Sequence, residues 1–125
     1  MLSEAAMGRP CALIVDDNRA SATVAGIMLQ AAGWDSEFAH DGFEAVTRLR
    51  ERPYAVVVLD YCLPGMDGVE VMTWINRNLP SPPNVVVLSS EAVAHLERRF
   101  GGLGVKAILS KPVAASDLCR AIAAA

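Results

Sequence analysis

The sequence of residues 54–79, YAVVVLDYCLPGMDGVEVMTWINRNL, contains one complete strand–loop–helix unit. Residues 54–59 end in a continuous apolar run, which favours a strand that is buried on both faces. The pairs Pro64-Gly65 and Asp67-Gly68 predict a loop after that strand. A helix is predicted next, from apolar residues that share one helical face: Val71, Met72, Ile75 and Leu79.

Four more units of this kind occupy the rest of the chain. Their strands are predicted at residues 12–15, 34–39, 85–88 and 105–109. The strand at 34–39 alternates apolar and acidic residues, which predicts a position near an edge of the sheet. The helices are predicted to face inward through these residues: Val24, Ile27, Met28, Ala31 and Ala32; Ala45, Val46 and Leu49; Val93, Leu96 and Phe100; and Leu118, Ala121, Ile122 and Ala125. Gly33 is expected to end the first helix, and Ser116 or Asp117 to cap the last.

Strands and helices that alternate in this order predict a parallel sheet with helices on both faces. The central strands of such a sheet are covered on both sides, which fits their continuous Val, Ile and Leu runs. The predicted fold class is therefore α/β, with a doubly wound, five-stranded parallel sheet. The domain is expected to span residues 10–125, after a flexible tail at residues 1–9 that has no apolar periodicity.

The composition excludes several classes of protein. The 125 residues carry a formal net charge of -3, so neither nucleic acid nor an anionic membrane is expected as a direct partner. A membrane span is not expected either, because the chain has no apolar run of about 18 residues. Three cysteines without paired spacing predict neither a disulfide framework nor a zinc site, and a reducing cytoplasm is the expected location. Solvated helix faces are expected to carry the arginines Arg48, Arg50, Arg52, Arg98 and Arg99.

Polar residues follow four of the five apolar runs directly. The first run ends in Asp16-Asp17, the third in Asp60, the fourth in Ser89-Ser90 and the fifth in Ser110-Lys111-Pro112. Because ligands of an open α/β sheet bind beyond the carboxyl ends of its strands, these side chains are expected to converge at one edge. Each residue alone could be a helix cap, a loop carboxylate or a solvated lysine. Their occurrence at corresponding ends of successive strands favours a shared site.

Three carboxylates in one site require a compensating charge. Two charges about 4 Å apart interact by roughly 4 kcal/mol at an effective dielectric constant of about 20, and a single lysine cannot cancel this repulsion. An all-oxygen cluster of this kind suits Mg²⁺. A metal, a lysine, a hydroxyl and a nucleophilic carboxylate are together typical of phosphoryl transfer.

Five segments of the chain resemble the response regulator receiver domain of two-component signalling, of the kind found in the bacterial chemotaxis regulator. The segments are residues 13–18 (LIVDDN), 41–45 (DGFEA), 58–68 (VLDYCLPGMDG), 88–90 (LSS) and 110–112 (SKP). In this order and spacing they are highly specific to that family. The resemblance covers nearly everything from Cys11 to the C-terminus, and it implies a flavodoxin-like three-layer sandwich with the strand order 2-1-3-4-5.

The resemblance also implies a role for each acidic residue of the predicted site. Asp60 is the expected phosphoacceptor, which takes a phosphoryl group from a histidine kinase or a histidine phosphotransfer protein. Mg²⁺ is expected to bind the side chains of Asp17 and Asp60. Asp16 is expected to reach the metal largely through water, and Cys62 through its backbone carbonyl.

A conformational switch is the further implication of the resemblance. Ser89 is expected to donate a hydrogen bond to a phosphoryl oxygen, and Lys111, before a cis peptide bond to Pro112, to pair with the phosphoryl group. Their movement would reshape the surface of the last two strands and helices for an unknown downstream protein or a linked output domain. Homodimerisation through the last helices is an option at the level of the family. Many receivers carry Tyr or Phe three residues before the lysine, whereas this chain has Ile108.

Two other functions share features with this sequence. A phosphatase resembling the haloacid dehalogenase class would need a second Asp two residues after its nucleophile, where this chain has Cys62 or Asn18. A phosphorylation-independent interaction module would not need the polar set at the strand ends, which is complete here. The receiver interpretation implies a signalling domain and no enzyme, with at most slow self-catalysed phosphorylation and dephosphorylation. A stand-alone regulator and a piece of a larger regulator or hybrid kinase both fit the sequence.

Overall fold

The computed structural model describes residues 9–123, in which five strands alternate with five helices. The strands are β1 (Cys11–Val15), β2 (Asp35–Ala39), β3 (Val56–Asp60), β4 (Asn84–Ser89) and β5 (Ala107–Ser110). The helices are α1 (Arg19–Ala31), α2 (Gly42–Glu51), α3 (Gly68–Asn78), α4 (Val93–Arg99) and α5 (Ala115–Ala123). None of these helices has the length and apolar character that a membrane span requires. The predicted tail, apart from Arg9, and Ala125 of the predicted last helix lie outside the described residues.

The strands form one parallel sheet in the order β2-β1-β3-β4-β5, which confirms the predicted class and strand order. Every residue of β3 is buried, as its apolar run predicts. The β2 strand lies at an edge and only Ala39 of it is buried, in agreement with its alternating sequence. The sheet therefore places the carboxyl ends of β1 and β3 side by side at its centre.

Alternate residues of the central strands face opposite sides of the sheet, so the core has two layers. On one side Leu13, Val57 and Leu59 pack with helices α2, α3 and α4. On the other side Ile14 and Val58 pack with helices α1 and α5. Val57, Val58 and Leu59 are at most 1% exposed, and each fully buried side chain of this type contributes about 1.5–3 kcal/mol. This burial holds β3, and with it the position of Asp60, rigidly in the sheet.

Helix α1 faces the sheet through a different set of residues from the predicted one. Val24 and Ile27 are 51% and 62% exposed, and Ala31 and Ala32 are exposed too, so the predicted inward face is wrong for these residues. Met28 is partly buried and packs against the core, as predicted. The buried residues are Ala22, Ala25, Gly26 and Leu29. Three of them, Ala22, Ala25 and Gly26, are small and let the helix lie close to the sheet. A Cβ on Gly26 would stand 2.9 Å from the ring of Phe38. Apolar residues on two helical faces left the periodicity ambiguous.

The ends of β5, α5 and α1 can be compared with the predicted ones. The predicted strand at residues 105–109 begins later, since β5 spans Ala107–Ser110. Helix α5 begins at Ala115, and the amide of Leu118 already donates to the carbonyl of Ala114. Ser116 and Asp117 therefore lie inside the first turn, and their predicted role as cap is wrong. Gly33 follows α1 with a φ of +91°, as expected for a residue that ends a helix.

An ionic network ties β2 to the elements beside it through Glu37. The Glu37 carboxylate accepts a hydrogen bond of 2.7 Å from the hydroxyl of Tyr54 and is paired with Arg52. Arg48 of α2 lies 3.5 Å from the same carboxylate and 3.4 Å from that of Glu44. The prediction of a solvated face is therefore wrong for Arg48, because a half-buried carboxylate on the neighbouring strand attracts it.

Candidate functional site

The predicted site residues meet at the carboxyl edge of the sheet. The ligand oxygens of Asp16, Asp17 and Asp60 all lie within 4.8 Å of one another. Asp16 and Asp60 are 3% and 8% exposed, whereas Asp17 is exposed. Parallel register explains the convergence, because Val15 pairs with Leu59 and the chain leaves both strands at the same level. The predicted cluster of carboxylates is therefore present.

Backbone amides hold the two buried carboxylates in place. Oδ1 of Asp16 accepts a hydrogen bond of 2.9 Å from the amide of Asn18. The Asn18 side chain accepts one from the amide of Ser21 and so caps helix α1. Oδ1 of Asp60 accepts a longer hydrogen bond, 3.3 Å, from the amide of Cys62. Each aspartate is thus fixed by the amide two residues further along the chain.

Lys111 joins the two buried carboxylates. Its Nζ lies 3.2 Å from Oδ2 of Asp16 and 3.2 Å from Oδ2 of Asp60. Its backbone amide donates a 2.8 Å hydrogen bond to the carbonyl of Ser89, which anchors the loop after β5 to the end of β4. The peptide bond between Lys111 and Pro112 is cis, as the family resemblance implies.

The two buried aspartates differ in acidity. Burial raises the pKa of Asp60 to about 6, and the repulsion from Asp16 adds to this effect against the attraction of Lys111. Burial acts on Asp16 in the same direction, but the amide of Asn18, the side chain of Ser21 and the ammonium of Lys111 outweigh it and lower the pKa of Asp16. Burial opposes the charge of Lys111, yet both carboxylates raise its pKa. The cluster therefore keeps its lysine charged and carries unbalanced negative charge.

Ser89, Cys62 and Glu91 form the other wall of the site. Ser89 ends β4 and is 2% exposed, and its hydroxyl oxygen accepts a 2.9 Å hydrogen bond from the amide of Glu91. The Sγ of Cys62 lies 3.6 Å from Oε2 of Glu91. Burial, together with this carboxylate, raises the pKa of the Cys62 thiol. Cys62 and Glu91 border an open cleft of about 510 Å³ that also contacts Asp17.

The chemistry of the donor set fits a hard divalent cation. Three carboxylates face one ammonium group in the cluster, so negative charge is in excess. All of the side-chain donors are oxygens, which suits Mg²⁺ better than softer metals.

One contact beside the site is not apparent from the sequence. Tyr61, directly after Asp60, packs against Phe100 and accepts a hydrogen bond from Arg99 of helix α4. Arg99 is predicted to lie on a solvated face and is exposed, yet its guanidinium group donates a hydrogen bond to Tyr61. No local pattern could reveal this pairing, because 38 residues separate the two partners.

Comparison with known proteins agrees with this geometry. Residues 12–123 match the family described as response regulator receiver domain. The autoinducer 2 sensor kinase/phosphatase LuxQ of Vibrio cholerae is 29% identical over 110 residues, which are 88% of this chain and 13% of that protein. The transcriptional regulatory protein TrcR of Mycobacterium tuberculosis is 32% identical over 108 residues, which are 85% of this chain and 41% of that protein.

Solved structures are also similar to this chain. A crystal structure of a sensor protein from Polaromonas sp. JS666 matches with a TM-score of 0.87 and 31% identity, covering 94% of this chain and 95% of that chain. The chain spans less than half the length of LuxQ and of TrcR. With the sheet order, the acidic cluster and the bridging lysine already established, the match over residues 12–123 shows that the chain belongs to the response regulator receiver domain family of two-component signalling.

Proposed function

We propose that Asp60 accepts a phosphoryl group from a phosphohistidine on a histidine kinase or a histidine phosphotransfer protein. The observation that carries this proposal is the position of Lys111 Nζ, 3.2 Å from Asp60 and 3.2 Å from Asp16. An ammonium group beside a carboxylate nucleophile is suited to neutralise the oxygens of an incoming phosphoryl group. Asp60 lies at the end of the most buried strand, so its carboxylate is held in a fixed position from which it can attack the phosphorus atom.

The transfer itself needs little from the protein beyond position and charge. A carboxylate oxygen of Asp60 bonds to phosphorus, the bond from phosphorus to the histidine nitrogen breaks, and that nitrogen keeps the electron pair. The product is an aspartyl phosphate, which carries more negative charge than the carboxylate it replaces. Lys111 pairs with the new phosphoryl oxygens, and the hydroxyl of Ser89 donates a hydrogen bond to one of them.

The acidic cluster is proposed to hold Mg²⁺. The side chains of Asp17 and Asp60 and the backbone carbonyl of Cys62 would bind it directly, and Asp16 largely through water. When bound, the metal supplies positive charge against the phosphoryl oxygens. Asp17 suits this role because it is exposed and no described side chain pairs with its carboxylate in the structure.

The output of this proposed reaction is a change of surface. Ser89 and Lys111 end β4 and begin the loop after β5, so their movement toward a phosphoryl group shifts the last two strands and helices. A downstream protein, or an output domain in the same protein, would read that shift. The protein would act as a signalling acceptor, with at most slow self-catalysed phosphorylation and dephosphorylation.

Intact-mass measurement tests the acceptor assignment. The protein is incubated with Mg²⁺ and acetyl phosphate, and one added phosphoryl group that is labile to hydroxylamine is expected. The label should be absent from Asp60→Asn and from samples without metal. Asp67→Asn is the matched control, because it alters a carboxylate in the same loop and Asn caps a helix as well as Asp does. A label that persists in Asp60→Asn would overturn the assignment.

A further inference from the structure

Helix α4 depends on contacts at its ends. It has seven residues and only Leu96 of them is buried, and its N-cap residue, Ala92, makes no side-chain hydrogen bond. A helix this short gains little stability from its own backbone hydrogen bonds. Its position is therefore set by the few contacts that tie it to the rest of the molecule.

The N-terminal end of α4 is connected to Ser89. The segment between β4 and α4 contains Glu91, whose amide donates to the Ser89 hydroxyl oxygen at 2.9 Å. Glu91 lies two residues before the first residue of α4, Val93. A change in the hydrogen bonding of Ser89 therefore acts directly on the start of this helix.

The C-terminal end of α4 is connected to Tyr61, the residue after Asp60. The hydroxyl of Tyr61 accepts a 2.5 Å hydrogen bond from Arg99, and the Arg99 guanidinium carbon lies 5.6 Å from the centre of the Tyr61 ring. Phe100 meets the same ring edge-on, with 5.9 Å between ring centres and 69° between planes. Tyr61 is 7% exposed, and its amide bonds to the carbonyl of Leu88 at 3.0 Å. The backbone of Tyr61 is thus fixed next to the site, while its ring contacts Arg99 and Phe100 at the end of the helix.

The fifth strand offers no comparable aromatic residue. Ile108, on β5, is partly buried and packs against the same apolar layer as Tyr61 and Phe100. An isoleucine has no hydroxyl group to exchange between a buried and an exposed partner. Among the described residues at this edge, Tyr61 is the aromatic residue that is adjacent to Asp60 in the chain and also contacts Arg99 of α4.

We propose that Tyr61 couples the phosphorylation state of Asp60 to the position of helix α4 through its contacts with Arg99 and Phe100. The proposal rests on the proposed phosphorylation of Asp60. When the Ser89 hydroxyl turns toward a phosphoryl oxygen, the start of α4 loses its present contact and moves. The contacts of Tyr61 with Arg99 and Phe100 hold the C-terminal end of α4 in place, so that the helix rotates about this end. Without these contacts the helix would become less ordered and would not rotate in a defined way. Tyr61 and Arg99 are positioning residues in this scheme and touch no reacting atom.

Hydrogen–deuterium exchange of residues 91–100 tests the coupling. Each protein is measured with Mg²⁺ alone and after acetyl phosphate treatment, and the fraction phosphorylated is read by intact mass in the same samples. We expect phosphorylation to change exchange in the wild-type helix by about fivefold or more, the size of a typical coupling between sites. Arg99→Gln and Tyr61→Leu should reduce that change to less than about twofold while Asp60 is still labelled. Tyr61→Phe keeps the aromatic ring but loses the hydroxyl group. Its change in exchange on phosphorylation should be intermediate between that of the other two variants and that of wild type.

Arg98→Gln is the matched control, since it removes the same charge from the same helix turn without touching the Tyr61 contacts. It should keep the wild-type response. A full label with an unchanged response in Arg99→Gln and Tyr61→Leu would overturn the coupling alone, as would an equal loss in Arg98→Gln. No label on the wild-type protein would overturn the proposed function, and the coupling with it. Comparing two states of one variant separates coupling from a uniform loosening of α4.

Discussion

Among single residues, Lys111 neutralises charge at the centre of the site. Its ammonium group is the cation between two buried carboxylates, and its side chain is 23% exposed. Removing one partner from a buried group of charges leaves the others uncompensated, which costs far more than the pair gains. The stability of the metal-free protein therefore depends on this lysine.

Lys111→Met should lower the free energy of unfolding by about 2–3 kcal/mol in the absence of metal, less than for a fully buried pair because water reaches the lysine. Urea denaturation of the metal-free protein measures this loss. Lys106→Met is the matched control and should change little, since Lys106 is the other lysine of the chain and its side chain is exposed. Adding Asp60→Asn to Lys111→Met should restore part of the stability. Equal losses of unfolding free energy in Lys111→Met and Lys106→Met would contradict this role of Lys111.

Tyr54 provides a pH-dependent test away from the site. Burial, followed by the hydrogen bond to Glu37, raises its pKa from 10.0 to about 12. Because the folded-state pKa lies above the unfolded one, the neutral hydroxyl stabilises the fold fully below pH 10. This contribution is lost as the pH rises from 10 toward about 12.

Tyrosinate absorbance measures this pKa in Tyr61→Phe, which leaves Tyr54 as the single tyrosine of the chain. We expect the titration midpoint to lie well above pH 10 in this variant. Adding Glu37→Gln should lower the midpoint, because the carboxylate that disfavours the tyrosinate is then gone. A midpoint near pH 10 in the folded Tyr61→Phe protein would show that the hydroxyl is not buried against Glu37.

Among the elements, α1 shows how a helix can be predicted correctly and oriented wrongly. Leu29 is fully buried, whereas Val24 and Ile27 are about half exposed. Leu29→Ala should therefore destabilise the protein by about 2–5 kcal/mol. Ile27→Ala and Val24→Ala should each stay within about 0.5 kcal/mol of wild type. Chemical denaturation of the three variants decides between the two orientations, since the predicted one reverses this ranking.

The sequence predicts most of the site because its residues stand at strand ends. Asp16 and Asp60 directly follow apolar runs, and Lys111 comes one residue after another such run. Parallel strands bring these positions to the same edge of the sheet. The orientation of α1 and the partners of Arg99 and Glu37 could not be predicted. They depend on how side chains from distant segments pack together, and such packing produces no periodic pattern or fixed spacing in the sequence.

For the molecule as a whole, the acidic cluster predicts stabilisation by a divalent cation. A ligand that binds only the folded state stabilises it by about 2.7 kcal/mol at a hundredfold excess over Kd. Mg²⁺ should therefore raise the Tm by several degrees, about 4 °C for each kcal/mol in a domain of this size. Asp17→Asn should abolish most of this shift without disturbing the fold, because Asp17 is exposed.

Thermal melts with and without Mg²⁺ measure the effect. Asp67→Asn is again the control and should keep the wild-type shift, since its carboxylate caps α3 and is not part of the cluster. An equal shift in Asp17→Asn and wild type would place the metal somewhere else on the protein.

The two edge strands of the sheet affect how molecules of this protein can associate with one another. At one edge β5 has only four residues, and at the other β2 carries Asp35 and Glu37 among its five. Short or charged border strands are poor templates for further strands, so they oppose aggregation by strand addition. Two molecules that associate in solution are therefore expected to do so through helices, and crowding should not drive this domain toward amyloid.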